Sequence, residues 1–272
     1  MFSSKKDRID RLLVSKGLVE SRAKAQALLL AGKIFVDGSR IDKSGFQVSP
    51  EAQIEVRDNE EKWVSRGAHK LLKGLESFGI SPQGSACVDI GSSTGGFTQV
   101  LLERGARKVY AVDVGYGQLA WSLRNDPRVK VMERTNGRTL TPAHFCEVPE
   151  LIVTDASFIS LKLLIPAIRL ILSSEGQAIL LVKPQFEVGK GRVGKGGVVR
   201  SKEDHISVLK EILVFCEGTG DFFPAGLTFS PITGPMGNIE FLLHGVRNRS
   251  LAGPLSPEET VEEAHHFFRK EG

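Results

Sequence analysis

From residue 64 onward, short apolar runs alternate with longer amphipathic stretches. Runs at 86–90, 109–114, 129–132, 151–155 and 178–183 have strand length and bulky aliphatic content, and helical patterns fill the gaps. This alternation predicts an α/β domain on a mostly parallel sheet, because parallel neighbours need a crossover. Two further runs, 226–229 and 239–245, have only a short connection and predict an antiparallel pair that completes the edge. The segment SPEETVEEAHHFFRK, behind a capping Ser256 and Pro257, predicts a closing helix. No internal repeat is visible.

Residues 1–56 follow a different pattern. Ile9, Leu12 and Leu13 begin an amphipathic helix ended by Gly17, and Ser21 stands at the N-cap of a second, SRAKAQALLLAG, stopped by Gly32. Ile34 to Val36 then run into Asp37 and Gly38, a hairpin turn pair. The prediction is a small α+β unit. Residues 57–64, RDNEEKWV, read as a polar linker, which leaves 65–272 as the larger domain. Trp63 is expected to pack between the domains rather than to stack on a base.

Composition narrows the class. The chain has 272 residues, 41% hydrophobic and 25% charged, which excludes disordered and fibrous proteins. Cys87, Cys146 and Cys216 lie far apart without C-x-x-C spacing, so neither a disulfide framework nor a cysteine zinc site is expected. A reducing, cytoplasmic setting fits. The start, MFSSKKDRID, lacks a signal-peptide core, and no apolar run approaches the roughly 18 residues of a membrane span, so no stable membrane insertion is expected.

Charge is unevenly placed. Residues 1–43 hold ten Lys/Arg against five Asp/Glu, while the whole chain is only +4, so the remainder is close to neutral. A compact cationic unit beside a neutral body suits a polyanion-binding module, since cations displace counterions from a phosphate backbone; a merely solvated basic face is the alternative. Arg8, Arg11, Arg22, Lys24 and Lys33 can share a surface around the second helix.

The strand ACVDI ends in Asp89 and leads into Gly91, Ser92, Ser93, Thr94, Gly95 and Gly96, with a helix beginning near Phe97. Glycines let a backbone turn tightly against a ligand at the carboxyl edge of the first strand. Ser93 occupies the second position of G-x-G-x-x-G, which weakens a dinucleotide reading and favours the D-x-G-x-x-x-G pattern of S-adenosylmethionine sites. The next strand, VYAVDVG, ends in Asp113, placed to accept hydrogen bonds from ribose hydroxyls. Turn capping is the alternative role for both aspartates. Asn136, in ERTNGR, is a candidate at the adenine, with turn formation as the alternative.

A second glycine-rich segment, 189–197, nearly spells a phosphate-binding G-x-x-x-x-G-K-[ST], but Gly196 replaces the hydroxyl residue that would hold magnesium. A nucleoside triphosphatase is therefore not expected. With Lys190, Arg192, Lys195, Arg200 and Lys202, the segment reads as a mobile basic loop able to close over nucleic acid, or as an ordinary flexible loop. Arg66 joins the candidate RNA contacts.

Four ionisable residues fall where the fold would gather them. Lys70 lies in VSRGAHKLLKGL, whose stripe of Leu71, Leu75 and Phe78 leaves Lys70 off the buried face. Asp155 and Lys183 end the fourth and fifth strands, and Glu240 opens the last. Strands four and five adjoin the cofactor edge in a doubly wound sheet, so Asp155 and Lys183 should face the transferred group.

Two resemblances sharpen this. RIDRLLVSKGLVESRAKAQALLLAGKIFVDG resembles the S4 RNA-binding domain, which binds folded RNA through shape and phosphates. VSRGAHKL, DIGSSTGGFT, VTDASFISL, LVKPQFEVG and GPMGNIEF closely resemble the TlyA family of ribosomal RNA methyltransferases, also labelled haemolysins, whose catalytic domain is FtsJ-like. The resemblance implies a Rossmann-like class I methyltransferase sheet, S-adenosyl-L-methionine as cofactor and 2′-O-methylation of cytidine in ribosomal RNA of one or both subunits. The substrate would be RNA within ribosomal subunits or assembly intermediates. The family's K-D-K-E tetrad falls on Lys70, Asp155, Lys183 and Glu240.

The chemistry is consistent with those residue types. A ribose 2′-hydroxyl is a poor nucleophile and must lose its proton as it attacks a methyl aligned behind it. Lys183 can accept that proton if neutral; burial and Lys70 favour its neutral form, whereas Asp155 and Glu240 oppose it. Asp155 would orient Lys183 and lie near the methyl, Lys70 with Glu240 would position the ribose, and no metal is required. Rival classes are a non-enzymatic RNA-binding or ribosome-assembly factor and a membrane-active haemolysin. The acidic closing helix is unlike a cationic membrane-surface helix.

Overall fold

The computed structural model describes residues 6–56, 62–189, 191–194 and 196–270. The chain forms two compact units, Met1–Lys62 and Trp63–Gly272. Most of the expected linker, along with Lys190 and Lys195, lies outside the described residues.

The smaller unit runs β1 (Asp7–Arg8), α1 (Ile9–Ser15), α2 (Arg22–Leu30), β2 (Ile34–Val36), β3 (Ser39–Ile41), β4 (Gln47–Val48) and β5 (Ile54–Val56). Helix α1 turns Ile9, Leu12 and Leu13 inward at helical spacing, and Gly17, at φ 67°, reverses the chain after it. Ser21 caps α2 by accepting from Lys24 N at 3.2 Å. Asp37 and Gly38 adopt φ 48° and 78°, the left-handed pair that joins β2 to β3. Asp10 was not anticipated. It is fully buried, and Arg8 and Arg22 both donate to its Oδ2, at 3.0 and 2.8 Å. The Arg8 hydrogen bonds hold this carboxyl well below the usual carboxylate range.

The larger unit contains α3 (Ala68–Phe78), β6 (Ala86–Ile90), α4 (Gly96–Glu103), β7 (Lys108–Val112), α5 (Trp121–Arg124), β8 (Val129–Met132), β9 (Leu151–Thr154), α6 (Ile165–Ile171), β10 (Gln177–Val182), α7 (Pro184–Glu187), α8 (Lys202–Gly218), β11 (Phe223–Phe229), β12 (Phe241–Val246) and α9 (Pro257–Lys270). Its seven strands lie in the order β11-β12-β10-β9-β6-β7-β8. All pairings are parallel except those of β12, which runs against both β10 and β11. The parallel sheet with an antiparallel edge is the architecture the alternation predicted. Apolar clusters pack on the sheet: one joins Ile165, Ile168 and Ile212 to Val88 and Leu180, another joins Leu71, Leu75 and Leu101 to Val109 and Leu242. Trp63 packs against the latter cluster, within its own unit.

Strand order reverses at β6, whose neighbours β7 and β9 continue the chain on opposite sides. A crevice therefore opens beyond the carboxyl ends of β6 and β9. The aspartates and lysine expected at strand ends sit one residue past them: Asp113 follows β7, Asp155 follows β9 and Lys183 follows β10. Once the ladder ends, these side chains are free to converge. Strand β11 begins at Phe223, earlier than the pattern predicted, and continues through a register shift between Pro224 and Gly226. Among the described residues, no helix is long and apolar enough to cross a membrane.

Candidate active site

The turn after β6 is built from backbone. Gly91, at φ 86°, and Ser92 both donate their amides to Val112 O, at 2.8 and 3.1 Å, which ties the turn to β7. A β-carbon on Gly91 would stand 3.0 Å from the Ala156 backbone, so only glycine fits there without a shift. Gly95, at φ 102°, has another reason: its β-carbon would press on Leu119 and Leu123. Gly96 opens α4 and approaches the backbone of Ala68, 3.1 Å from its β-carbon position.

Two cavities adjoin this turn. One, of about 210 Å³, is lined by residues including Ser92, Ser93, Thr94, Gly96, Phe97, Lys70 and Lys183. The other, of about 370 Å³, is lined by residues including Val112, Asp113, Gln118, Asn136 and Phe158. Gly91, Ser93, Asp155 and Ser157 line both. Asp113 accepts from the amides of Ser93 at 2.8 Å and Gly115 at 2.7 Å. Asn136 also caps its turn, accepting from Arg138 N at 3.0 Å. Phe158 stands at the second cavity, 91% exposed and at φ 62°, with its ring 5.2 Å from that of Phe186. Asp89 and Gly95 line neither cavity.

Asp89 is fully buried beneath the turn. Thr98 donates to its Oδ2 at 2.7 Å, while Oδ1 has no hydrogen-bond partner among the described residues. Loss of hydration penalises the anion and pushes this carboxyl up to about 7.

The four charged candidates meet. Lys70 Nζ lies 2.6 Å from Glu240 Oε2 and 3.5 Å from Asp155 Oδ2, and Lys183 Nζ lies 2.6 Å from Asp155 Oδ1. Charges alternate along the series Glu240, Lys70, Asp155, Lys183. Lys183 also donates to Ser157 Oγ at 2.7 Å and reaches Asp155 O at 3.4 Å. The amphipathic stripe had left Lys70 off the buried face of its helix, whereas the structure buries it to 6% exposure. Close approach of α3 to the sheet is the cause: a β-carbon at Gly74 would lie 3.0 Å from Ile179 Cγ2. Glu240 just precedes β12 and is 1% exposed, so it holds Lys70 from behind instead of facing the cavity.

The basic candidates divide. In the smaller unit, Arg8 and Arg22 converge through Asp10, and Arg11 is exposed; Lys24 and Lys33 are half-buried. Arg66 is exposed beside the first cavity and donates to Thr233 O at 3.1 Å. Arg192 turns toward α8, 3.3 Å from Asp204 and 3.7 Å from Glu211. The foot of its loop is fixed by buried Asn238, which accepts from Val199 N and donates to Gly197 O, each at 2.9 Å.

Sequence reasoning passed over Ser65, Gly67, Ser157 and Phe158. Ser157 had a signal: it lies only two residues beyond Asp155, in the segment that leaves β9 at the same sheet edge.

Sheet order, glycine turn and crevice define a methyltransferase domain of the doubly wound type. The chain belongs to the FtsJ-like methyltransferase family, which matches residues 63–247, and residues 7–54 match the S4 domain. Within that family it is a TlyA relative. It is 48% identical over 241 residues to the 16S/23S rRNA (cytidine-2′-O)-methyltransferase TlyA of Mycobacterium tuberculosis, covering 88% of this chain and 90% of the relative. A Bacillus subtilis protein, YqxC, provisionally called an rRNA methyltransferase, is 47% identical over 99% of this chain and 98% of its own. A solved structure with a provisional hemolysin label, from Streptococcus thermophilus, superposes with TM-score 0.76 at 42% identity over 99% of both chains. Family membership places the protein among enzymes and answers the non-enzymatic alternative.

Proposed function

We propose that this protein transfers the methyl group of S-adenosylmethionine to the ribose 2′-hydroxyl of a cytidine in ribosomal RNA. The observation that carries the reading is the chain of alternating charges, buried at Glu240, Lys70 and Lys183 and half-buried at Asp155, which ends on Lys183 at a cavity walled by the glycine turn. The TlyA relative with 2′-O specificity supports the acceptor.

The residues present fit the cofactor. Gly91 lines both cavities and packs its backbone against that of Ala156, and the larger cavity offers the Asp113 carboxylate and Asn136. In this reading Asp113 receives the ribose hydroxyls and Asn136 meets the adenine. Ser92, Ser93, Thr94, Gly96 and Phe97 surround the methionine portion, while Asp89 and Gly95 support the turn from beneath. S-adenosylmethionine supplies a methyl group already activated by its cationic sulfur.

Within the chain, Lys183 accepts the 2′-hydroxyl proton and Asp155 holds Lys183 in place. Lys70, fixed by Glu240, presents positive charge toward the ribose, where negative charge develops as the proton leaves. Arg8, Arg11, Arg22, Lys24, Lys33 and Arg66 engage RNA phosphates of a ribosomal subunit or assembly intermediate. The test is transfer of labelled methyl to purified bacterial ribosomal subunits and naked ribosomal RNA. Label should map to a ribose 2′-oxygen in the wild type and fall by about 10³-fold or more in Lys183→Ala with cofactor affinity preserved. Undiminished turnover in that variant refutes the assignment.

A further inference from the structure

We propose that Ser157 is a positioning residue for Lys183, its hydroxyl setting the direction in which the amine faces the acceptor. The inference rests on the reading of Lys183 as proton acceptor.

A neutral lysine amine carries two N–H bonds and one lone pair on a nitrogen that rotates freely about its bond to Cε. A base acts only when that lone pair points at the proton to be removed. Lys183 Nζ has two close acceptors, Asp155 Oδ1 at 2.6 Å and Ser157 Oγ at 2.7 Å. These engage the two N–H bonds. The third direction then holds the lone pair of the amine, or the third proton of the ammonium that forms. The Asp155 carbonyl, at 3.4 Å, is a much weaker competitor for it.

With Asp155 alone, one anchored N–H would leave the second N–H and the lone pair to exchange the two remaining directions by inversion at nitrogen, and an N–H would spend much of its time where the lone pair is needed. Lys183 is only 7% exposed, so solvent is poorly placed to replace the lost acceptor. Ser157 also lines both cavities, as Asp155 does.

The ribose O–H bond breaks and its proton joins the Lys183 lone pair. The oxygen forms its new bond to the methyl carbon, and the electron pair of the breaking carbon–sulfur bond stays on sulfur.

Methyl transfer from S-adenosylmethionine to purified bacterial ribosomal subunits is compared for wild type, Ser157→Ala, Ser157→Thr and Lys183→Ala, with cofactor affinity measured by calorimetry. Ser157→Ala should lose about 10- to 100-fold in kcat, with KM for the subunit and cofactor Kd within about twofold. Ser157→Thr, which keeps a hydroxyl, should recover most of the rate. Unchanged kcat in Ser157→Ala overturns the proposal, as does a loss confined to cofactor affinity or one that threonine fails to restore. Absence of transfer by the wild type itself, or full activity in Lys183→Ala, removes the underlying functional reading and the inference with it; Ser157→Ala alone behaving as wild type removes only the inference.

Discussion

Asp89→Asn should stabilise the catalytic unit, and by an amount that grows with pH. Asp89 is fully buried, and its Oδ1 has no hydrogen-bond partner among the described residues. Burial raises the carboxyl from its ordinary 3.8 to about 7. Below about pH 4 the group is protonated whether the chain is folded or not. As pH climbs toward 7, the unfolded chain releases this proton freely while the folded chain retains it, so Asp89 withdraws stability through that interval; above 7 the loss is complete. At about 1.4 kcal/mol per pH unit, the whole interval sets a ceiling of about 4 kcal/mol, of which about 2 to 3 falls between pH 5 and 8. Asparagine has no such proton to lose and keeps an oxygen for Thr98, which donates to Asp89 Oδ2 at 2.7 Å. Urea unfolding followed by tryptophan fluorescence suits the test, since Trp63 and Trp121, the only two tryptophans, both belong to the larger unit. The stability advantage of the variant should widen from pH 5 to pH 8. Parallel pH dependences for the two proteins would refute the reasoning.

Two other substitutions test the walls of the site. Gly91→Ala places a β-carbon 3.0 Å from the Ala156 backbone at φ 86°, so calorimetry should show S-adenosylmethionine affinity reduced at least about tenfold, with the circular dichroism spectrum retained. Glu240→Gln leaves buried Lys70 with a neutral acceptor in place of its near carboxylate and only the longer ion pair to Asp155, at 3.5 Å. Loss of one partner of a buried pair costs about 3–5 kcal/mol, and the variant should show that loss in urea unfolding together with a lower kcat at preserved cofactor affinity.

Much of the site was legible because a parallel sheet directs every strand end to one edge, so Asp113, Asp155 and Lys183 could be placed together by counting strands. The depth of Lys70 was not legible. An apolar stripe ranks lysine outward, and only the close approach allowed by Gly74 against Ile179 sinks Lys70 between two acids. The partners of Arg192 were hidden for a related reason: its neighbours in sequence are Gly191 and Val193, and the carboxylates of Asp204 and Glu211 arrive from a helix that begins later. Asp10 was hidden inside an amphipathic run, and its charge is compensated by two arginines that stand two and twelve residues from it in sequence.

These omissions share one physical origin. Burial of a charge is tolerable only when partners from other elements supply compensation, and a linear pattern shows the charge without its partners. In the tetrad, lysines and acids alternate, and they are drawn from elements as far apart as the 170 residues between Lys70 and Glu240. That arrangement holds Lys183 at the end of the series, with its far side turned to the cavity, where a proton arriving from an acceptor would meet a group already fixed by Asp155 and Ser157.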